Sequence, residues 1–468
     1  MSFTSIPFAV FTPLFLLAYY AAHSAWRPPL VALASLIFYT WYNAAYLPLL
    51  LASALIDYVA ALRILASSDQ RRRKAWLLAS ITLNLGILFF FKYWNFFAEN
   101  VEAVTGTEIV LHHLILPLGI SFYTLQTLSY TFDTYRGKLT PERSFFTYFL
   151  YVSFFPQLVA GPIERAGRLL PQLRNLTLPT AAEAEAGMVL IAWGVFAKLA
   201  VADNLAGFVW SALWGETGGL LLWPIGFCAA AQVYADFLAY TLIARGLARM
   251  MGVKLSENFR QPFFARNLNG FWQRWHISLT RWVTDYIHIP LARRHPDEPW
   301  RSFIAIMALC IIGLWHGASW NFLFFGLTQG LVMRGWQPVA SLGARLNPPA
   351  AVATLVSHTA MVAVISFSAP MFFLTDTHQL VTQLGSMFSL DLGLSILANG
   401  VYRENFAVGV MLLTLMLIND WRASRGARWH VETIAAHPVG RPILIAVLIT
   451  LTILLGNFNP QEFIYFDF

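Results

Sequence analysis

Long apolar segments recur along the whole chain, and short polar or basic stretches separate them. A helix needs about 20 apolar residues to cross the roughly 30 Å hydrocarbon core of a bilayer. The pattern therefore predicts an all-α, polytopic integral membrane protein with about 11–13 transmembrane helices. The predicted spans are approximately 7–24, 28–47, 49–66, 75–93, 114–131, 144–160, 187–211, 219–243, 302–318, 320–336, 352–374, 405–419 and 441–457.

The middle third, from about residue 115 to 335, departs from this plain pattern. It stays apolar but carries unusual polar and aromatic residues. Its segment 257–291 is too polar to cross lipid and too hydrophobic for a solvated loop, which predicts in-plane or re-entrant helices. Polar groups at membrane depth are tolerated when they are buried in protein or line an aqueous cavity. We therefore expect helices arranged around a central tunnel.

The composition agrees with a membrane protein. Of the 468 residues, 57% are hydrophobic and only 12% are charged, whereas an ordinary soluble domain has about 25% charged residues. No stretch is left for a soluble domain. We expect one membrane domain over 1–468, with N-terminal helices in 1–110, a catalytic core in 111–336 and C-terminal helices in 337–468.

The formal net charge of +7 comes from short basic clusters between spans, so it does not indicate nucleic-acid binding. Such clusters tend to stay cytoplasmic. The cluster from Arg71 to Lys74 places the 66–75 loop inside and the N-terminus outside. The first apolar segment lacks a basic n-region and is interpreted as a retained helix, not a signal peptide. Cys228 and Cys310 form neither a disulfide framework nor a zinc motif.

One histidine lies within an apolar run. His316 stands in IIGLWHGASWNF (311–322), and on a continuous helix its face would include Ile312, Gly313, Ser319 and Trp320. One interpretation is a core histidine that bonds to a neighbouring helix. The other is a functional residue, because an ionisable ring inside a membrane is costly to bury. The local sequence favours function for His316.

A second histidine lies in the aromatic and basic stretch FWQRWHISLTRW (271–282). Trp and Arg are common at membrane interfaces, so His276 is either an incidental member of an interfacial belt or part of a site. No HExxH, GxSxG or P-loop motif occurs, and metal or serine-triad catalysis has no support in the sequence.

Several blocks occur together in one order: NLGILFFFKYWNFF, LPLGISFYTLQTLSYTFDTYRG, FFPQLVAGPIER, NFRQPFFARNLNGFWQRWHISLTRWVTDYIHIPL and GLWHGASWNFLFFG. They cover about 84–326, and the closing FIYFDF fits with them. In these blocks the chain resembles the membrane-bound O-acyltransferases (MBOAT), in the branch of the bacterial alginate O-acetyltransferase membrane subunit.

The resemblance implies specific roles. The family's essential histidine falls on His316 and its second histidine on His276. It also implies an acyl donor on the cytoplasmic side, a tunnel through the membrane and an acceptor outside, where a periplasmic acyl-transfer protein acts as intermediary or the polysaccharide accepts directly. The protein is then a multi-pass protein of the cell inner membrane, in contact with lipids.

Two blocks depart from the family pattern. VYADFLAYTLIARG (233–246) has Leu238 and Leu242 where the family usually has Ser and Asp, and APMFFLTD (369–376) is also altered. These changes put the identity of the acceptor in doubt more than the chemistry.

The predicted chemistry is acetyl or short-acyl transfer from a thioester such as acetyl-CoA to a hydroxyl group, with no bound cofactor and no metal. His316 is the general base, and His276 orients the donor or polarises its carbonyl. Arg260, Arg266 and Arg274 either meet the donor's phosphates or clamp lipid headgroups. Asp236 and Asp285 are expected to pair with nearby arginines. The further donor or tunnel candidates are Gln273, Trp275, Tyr286, Trp315, Ser319, Asn321 and Tyr234.

Other functions remain open from the sequence. Within the enzyme class, the acceptor is a cell-surface polysaccharide such as alginate, or alternatively teichoic acid with D-alanine as the acyl group, peptidoglycan or a lipid. Outside that class, the alternatives are a proton-coupled transporter or flippase and a scaffold for periplasmic partners. Transporters often have two related halves, and no internal repeat is visible here.

Overall fold

Helices form all of the regular structure in the part of the chain that the structure describes. The computed structural model describes every residue except 112–114, 216–217, 346–347, 395–402, 428–429, 460–462 and 464–468. Within the described ranges no β-strand occurs. The prediction of an all-α protein is therefore confirmed.

Twenty-three α-helices occur in the described residues. The first eleven are α1 (Ile6–Ala21), α2 (Arg27–Asn43), α3 (Leu47–Ala66), α4 (Gln70–Leu88), α5 (Trp94–Thr105), α6 (Ile120–Tyr135), α7 (Phe145–Ser153), α8 (Phe155–Leu158), α9 (Ala166–Arg174), α10 (Ala181–Phe196) and α11 (Asp203–Trp214). The others are α12 (Leu222–Met250), α13 (Leu268–Trp272), α14 (Ile277–Val283), α15 (Ile289–Arg294), α16 (Trp300–His316), α17 (Trp320–Arg345), α18 (Ala350–Ser368), α19 (Pro370–Phe373), α20 (Thr377–Ser386), α21 (Arg403–Ser424), α22 (Val431–Ala436) and α23 (Gly440–Leu455).

Six helical stretches in the described residues are long and apolar enough to cross a membrane: Ser24–Ala66, Gln70–Thr105, Ala181–Trp214, Leu222–Met250, Ala350–Phe373 and Arg403–Ser424. The first of them contains both α2 and α3, which the sequence pattern counts as two spans. Helices α1, α16 and α23 are shorter but also apolar. The chain is a multi-pass membrane protein, and the number of crossings stays a prediction.

Two predicted spans differ from the observed helices. The span 144–160 is wrong as a single helix, because the backbone leaves the helical conformation at Phe154 and divides it into α7 and α8. Pro156 lacks the N–H that a continuous helix needs there. The span 114–131 is shifted, since α6 begins at Ile120 after Gly119 in a left-handed conformation (φ 74°) and continues to Tyr135.

The chain divides into two compact units. The first comprises Met1–Ile191 and Tyr240–Ser256, and the second comprises Ala192–Ala239 and Glu257–Phe468. The predicted subdivision at residues 110 and 336 stays a prediction.

A buried carboxylate ties three helices of the first unit together. Asp57 on α3 has no exposed surface and accepts hydrogen bonds from Ser80 and Asn84 on α4 and from Thr131 on α6. Ser53 on α3 in turn donates to Asn84. A carboxylate at membrane depth is costly unless polar partners satisfy it, and these donors supply such partners.

Helices α16 and α17 of the second unit form a hairpin in which the two backbones nearly touch. A Cβ atom at Gly326 would lie 2.4 Å from the Leu309 carbonyl oxygen, and one at Gly313 would lie 2.1 Å from the Phe322 carbonyl oxygen. Small residues permit such close approach between membrane helices. The hairpin turns over only three residues, directly after His316.

Candidate active site

His316 is the last residue of α16, at the turn of the glycine-packed hairpin. Its side chain is 1% exposed. The imidazole lies between two aromatic rings, with ring centroids 5.1 Å from Trp315 and 4.9 Å from Phe372. Helix α16 cannot continue because Gly317 adopts an extended conformation (φ −158°, ψ 154°). The rigid hairpin therefore fixes the position of this ring.

The end of α16 corrects one expectation. Ser319 and Trp320 do not share a helical face with His316, since three residues in non-helical conformation separate the two helices. The sequence pattern did not predict this break, because the glycines at 313 and 317 are equally compatible with a continuous helix that packs closely against a neighbour. Asn321, at the start of α17, is fully buried and donates to the Leu374 carbonyl oxygen while it accepts from Thr377.

His276 lies between α13 and α14 and has a left-handed backbone (φ 40°, ψ 54°). That conformation costs on the order of 1–3 kcal/mol for a residue other than glycine. Neighbouring backbone hydrogen bonds hold it. Ile277 N–H donates to the Asn258 carbonyl oxygen at 2.9 Å, and Arg260 N–H donates to the Arg274 carbonyl oxygen at 2.9 Å. The cross-connection turns His276 out of the regular helix and into the interior, where its exposure is 0%.

The structure brings the two histidines together within the second unit. Their ring centroids are 6.2 Å apart. Phe237 of α12 meets His276 edge-on at 4.7 Å, and Trp315 meets it at 5.6 Å. His276 lies outside the apolar helices of membrane-spanning length. Its side chain is fully buried, and the resulting desolvation lowers its pKa to about 3. The ring of His276 is therefore neutral at pH 7.

A shell of aromatic side chains surrounds this pair. Trp275 is buried and packs against Phe271 and Phe259, both with ring centroids at 5.2 Å. Tyr234 of α12 meets Trp275 at 6.0 Å, and its hydroxyl donates to Asp420 at 2.7 Å. Both were predicted from the sequence: Trp275 directly precedes His276, and Tyr234 packs against Trp275.

The two aspartates lie in different surroundings, and the pairing of Asp285 with an arginine stays a prediction. Asp236 was expected to pair with an arginine, and the structure shows a lysine at this carboxylate. Lys198 lies 2.9 Å from Asp236 and also binds Asp203 at 2.8 Å. The sequence pattern missed Lys198 because it lies in a plain apolar span. Asp285 is exposed, and its neighbour Tyr286 is buried and packs against Trp282.

A cavity of about 540 Å³ lies in the second unit. One wall is polar and basic, and the other is the apolar face of α16. Neither histidine is in its lining, but Ile277, which directly follows His276, and Ile312, one turn before His316, both line it. The lining residues are Arg260, Asn269, Trp272, Gln273, Ile277, Thr280, Arg281, Val283, Thr284, His288, Ala305, Ala308, Leu309, Ile312 and Met333.

Only one of the three arginines predicted from the sequence to meet the donor lines this cavity in the described residues. Arg260 and Gln273 line it, together with Arg281 and His288, which sequence reasoning did not single out. A signal for these two was present, because residues 277, 280, 281, 284 and 288 have the spacing of one helix face. Arg266 and Arg274 are absent from its described lining.

A second cavity, of about 40 Å³, lies near both histidines. Trp275 next to His276 and Phe372 against His316 both border it. Its polar members Gln329 and Ser368 bond to each other at 2.9 Å. The space suits a small group, since a cavity needs about 10–15 Å³ of such volume to hold one water.

The C-terminal segment contributes one described residue to this region. Phe463 is 4% exposed and its ring centroid is 5.8 Å from that of Phe237. The other residues of FIYFDF lie outside the described part of the chain. Among the described residues, no group of three or more His, Cys, Asp and Glu side chains has a metal-binding arrangement.

Comparison with known proteins identifies the class. The membrane-bound O-acyltransferase family matches residues 36–371. The chain belongs to the MBOAT family. It is therefore an acyltransferase, which sets aside the transporter and scaffold alternatives.

Several MBOAT relatives are similar over most of their length. A peptidoglycan O-acetyltransferase of Helicobacter pylori is 34% identical over 364 residues, which cover 69% of this chain and 68% of the relative. A probable alginate O-acetylase of Pseudomonas putida is 33% identical over 390 residues, 81% of this chain and 78% of the relative. A teichoic acid D-alanyltransferase of Bacillus subtilis is 27% identical over 235 residues, 47% of this chain and 59% of the relative.

Proposed function

We propose that this enzyme transfers an acetyl group from a cytoplasmic thioester to a hydroxyl group of an extracytoplasmic polysaccharide, in the inner membrane. The observation that carries the proposal is the pair of buried imidazoles, 6.2 Å apart; a cavity with a basic wall in the same unit supports it. Acyl transfer needs a base for the hydroxyl proton, a donor held in line and stabilisation of the developing oxyanion.

His316 is the proposed base. As the acceptor oxygen attacks the thioester carbonyl, its proton passes to the imidazole of His316. The C–S bond then breaks and the leaving thiolate takes that proton, so that an ester and a free thiol are formed. This sequence needs no protein nucleophile, and an acyl-His316 intermediate would give the same products. The fixed end of the α16–α17 hairpin supports the role, because proton transfer requires close and constant geometry.

His276 is the proposed donor-orienting residue. A neutral imidazole has one N–H, and donation of that N–H to the thioester carbonyl would stabilise the developing oxyanion. Burial keeps the pKa of His276 at about 3, so the ring keeps one N–H and one acceptor nitrogen over the physiological pH range.

The 540 Å³ cavity is the proposed donor site. Arg260, Arg281 and His288 on its polar wall suit phosphate groups, which arginine recognises through bidentate hydrogen bonds. The small side chains Ala305 and Ala308 on the opposite wall leave room for a pantetheine arm. Coenzyme A and acyl carrier proteins share the phosphopantetheine thioester, and this cavity fits that shared part.

The size of the second cavity supports a short acyl group. A space of about 40 Å³ bordered by Trp275 and Phe372 accommodates acetyl, and a longer acyl chain would crowd these aromatic rings. In well-packed interiors such overpacking costs typically about 1–3 kcal/mol.

The relatives suggest the acceptor. The two at 33–34% identity are named for O-acetylation of peptidoglycan and of alginate, and both polymers present sugar hydroxyls outside the membrane. D-alanyl transfer to teichoic acid is the second candidate and rests on the weaker likeness. An intermediary periplasmic protein belongs to the proposal as a partner that receives or delivers the group.

The test measures thiol release from acetyl-CoA and label transfer to unacetylated polymannuronate or peptidoglycan fragments. We expect His316→Ala to abolish both. The matched control is His378→Ala, which changes an exposed histidine on α20 and should keep full activity. Undiminished turnover by a folded His316→Ala protein would contradict the proposal.

A second measurement separates the two possible donors. Arg281→Gln should raise the KM for the donor at least about tenfold, as expected from loss of a charge-assisted hydrogen bond. Arg293→Gln, which changes an exposed arginine at the end of α15, should not. Acetyl-CoA and an acetylated acyl carrier protein are supplied separately. An unchanged KM for both donors in Arg281→Gln would remove the cavity from the proposal.

A further inference from the structure

A buried ion cluster lies close to the candidate active site and the proposed chemistry does not use it. Lys198 Nζ is 2.8 Å from Asp203 Oδ1 and 2.9 Å from Asp236 Oδ1. The side chains of Lys198, Asp203 and Asp236 are 7%, 1% and 3% exposed. Charges at membrane depth are costly and usually mark function.

The local backbone is arranged to form this cluster. Residues Ala197–Ala202 form a π-helical segment between α10 and α11, and π-bulges occur frequently at functional sites. Lys198 in this segment forms ion pairs with Asp203, five residues later at the start of α11, and with Asp236 on α12. The pair Lys198–Asp236 therefore links the π-helical segment to α12.

The link ends next to the residue that contacts His276. Phe237 follows Asp236 directly, has no exposed surface, and meets the His276 ring at 4.7 Å with an interplanar angle of 78°. Two residues before Asp236, the Tyr234 hydroxyl donates to Asp420 on α21 at 2.7 Å. Positions 234 and 236 are about 200° apart around a helix, so α12 is held from two sides at this level.

Rotation of α12 is the motion that these bonds restrict. Side-chain tips lie about 5–6 Å from the axis of a helix, so a rotation of roughly 10° moves the Phe237 ring by about 1 Å. A displacement of about 1 Å in a catalytic group costs on the order of 100-fold in rate. The left-handed backbone of His276 is strained, and such conformations persist only where their surroundings hold them.

We propose that the Lys198–Asp236 ion pair is a positioning device that fixes the rotation of α12, and through Phe237 the orientation of the His276 ring. Asp203 is a second carboxylate at Lys198 and is not part of the link to α12. The inference rests on the proposed function, because the effect of the ion pair is expressed through acyl transfer.

The structure offers a matched pair of substitutions. Asp236→Leu and Asp203→Leu each remove one carboxylate and each leave Lys198 with one remaining carboxylate, so neither leaves an uncompensated buried charge. They differ in whether α12 stays bound to Lys198. Asp236→Asn is the conservative variant, since its amide oxygen still accepts from the Lys198 ammonium.

Thiol release from acetyl-CoA is measured for the purified, detergent-solubilised full chain. We expect Asp236→Leu to lower kcat by about 10- to 100-fold with an unchanged KM, because the donor cavity is untouched. Asp203→Leu and Asp236→Asn should remain within about threefold of the wild type. Phe237→Leu should lower kcat similarly, and the double variant Asp236→Leu/Phe237→Leu should be no slower than Phe237→Leu alone.

Three outcomes would each overturn the inference. The first is a wild-type kcat in Asp236→Leu, the second is an equal loss of kcat in Asp236→Leu and Asp203→Leu, and the third is additive losses of kcat in the double variant. Size-exclusion chromatography establishes folding. If Asp236→Leu does not fold, Asp236→Ser, whose hydroxyl is too short to reach Lys198, takes its place with the same expected outcome. His316→Ala in the same assay separates the two proposals. If His316→Ala keeps its activity, the proposed function is wrong. If His316→Ala is inactive but Asp236→Leu has the kcat of the wild type, only the positioning role is wrong.

Discussion

A single added methyl group at Gly326 should disable the enzyme while leaving most of its structure intact. Gly326 on α17 faces α16, where a Cβ atom would lie 2.4 Å from the Leu309 carbonyl oxygen and 2.6 Å from the Cys310 Cα atom. Both neighbours are backbone atoms of a helix, so no side chain can rotate away. In Gly326→Ala the two helices must move apart.

The required displacement follows from these distances. Ordinary contact for a Cβ atom begins near 3.4 Å, so α16 has to move by about 1 Å at Leu309. His316 lies two turns further along the same helix and moves with it. We expect kcat to fall by on the order of 100-fold, since a misplacement of about 1 Å has that effect. Overpacking of this kind lowers the free energy of unfolding by about 1–3 kcal/mol.

The same helix provides the control. A Cβ atom at Gly335 on α17 would have no atom within 4 Å, so Gly335→Ala adds the same methyl group without a clash. Alanine is favoured over glycine in a helix by about 1 kcal/mol, and this variant should be as active as the wild type and equally or more stable. The assays are thiol release from acetyl-CoA and thermal unfolding in detergent. Equal kcat for the two variants would refute the argument that the hairpin contact sets the position of His316.

Two further predictions concern His276 and its surroundings. Phe463→Ala should lower the unfolding free energy by about 3–5 kcal/mol, the usual cost of truncating a buried phenylalanine, and should reduce kcat because Phe463 packs against Phe237; Phe458→Ala, 58% exposed in the same segment, should stay within about 0.5 kcal/mol. Burial lowers the pKa of His276 to about 3, so below about pH 6.5 the unfolded state takes up a proton that the folded state does not. The free energy of unfolding should therefore fall as the pH drops below 6.5, by about 1.4 kcal/mol per pH unit. Thermal unfolding is measured at pH 7.5 and at pH 5, and His276→Gln should lose less stability between these two values than the wild type does.

Much of the architecture follows from hydrophobic length alone. Apolar runs predict where α3, α12 and α18 lie because the bilayer sets a minimum length for a crossing helix. Helix interruptions are harder to predict. The breaks at Phe154 and at Gly317 depend on tertiary contacts that hold the chain away from the helical conformation, and glycine or proline nearby is compatible with either outcome.

The candidate site shows the same division. His316 could be selected because an ionisable residue in an apolar run is unusual, whatever its neighbours are. Lys198 could not be singled out, since a lysine in a span acquires meaning only through Asp203 and Asp236, and Asp236 lies 38 positions away along the chain. Its π-helical backbone has no signature in local sequence.

His276 joins both kinds of information. Its residue type marks it as a candidate, but its left-handed backbone depends on backbone hydrogen bonds that its neighbours Ile277 and Arg274 make with Asn258 and Arg260, which are 18 and 16 residues before His276. Without that cross-connection, a continuous helix through residue 276 would carry the ring along the surface stripe of Ile277, Thr280 and Arg281 that lines the 540 Å³ cavity. The bend separates the ring from this stripe and directs it to His316. A chain with the same histidines but no partner segment at 258–260 would therefore keep the motif and lose the pair.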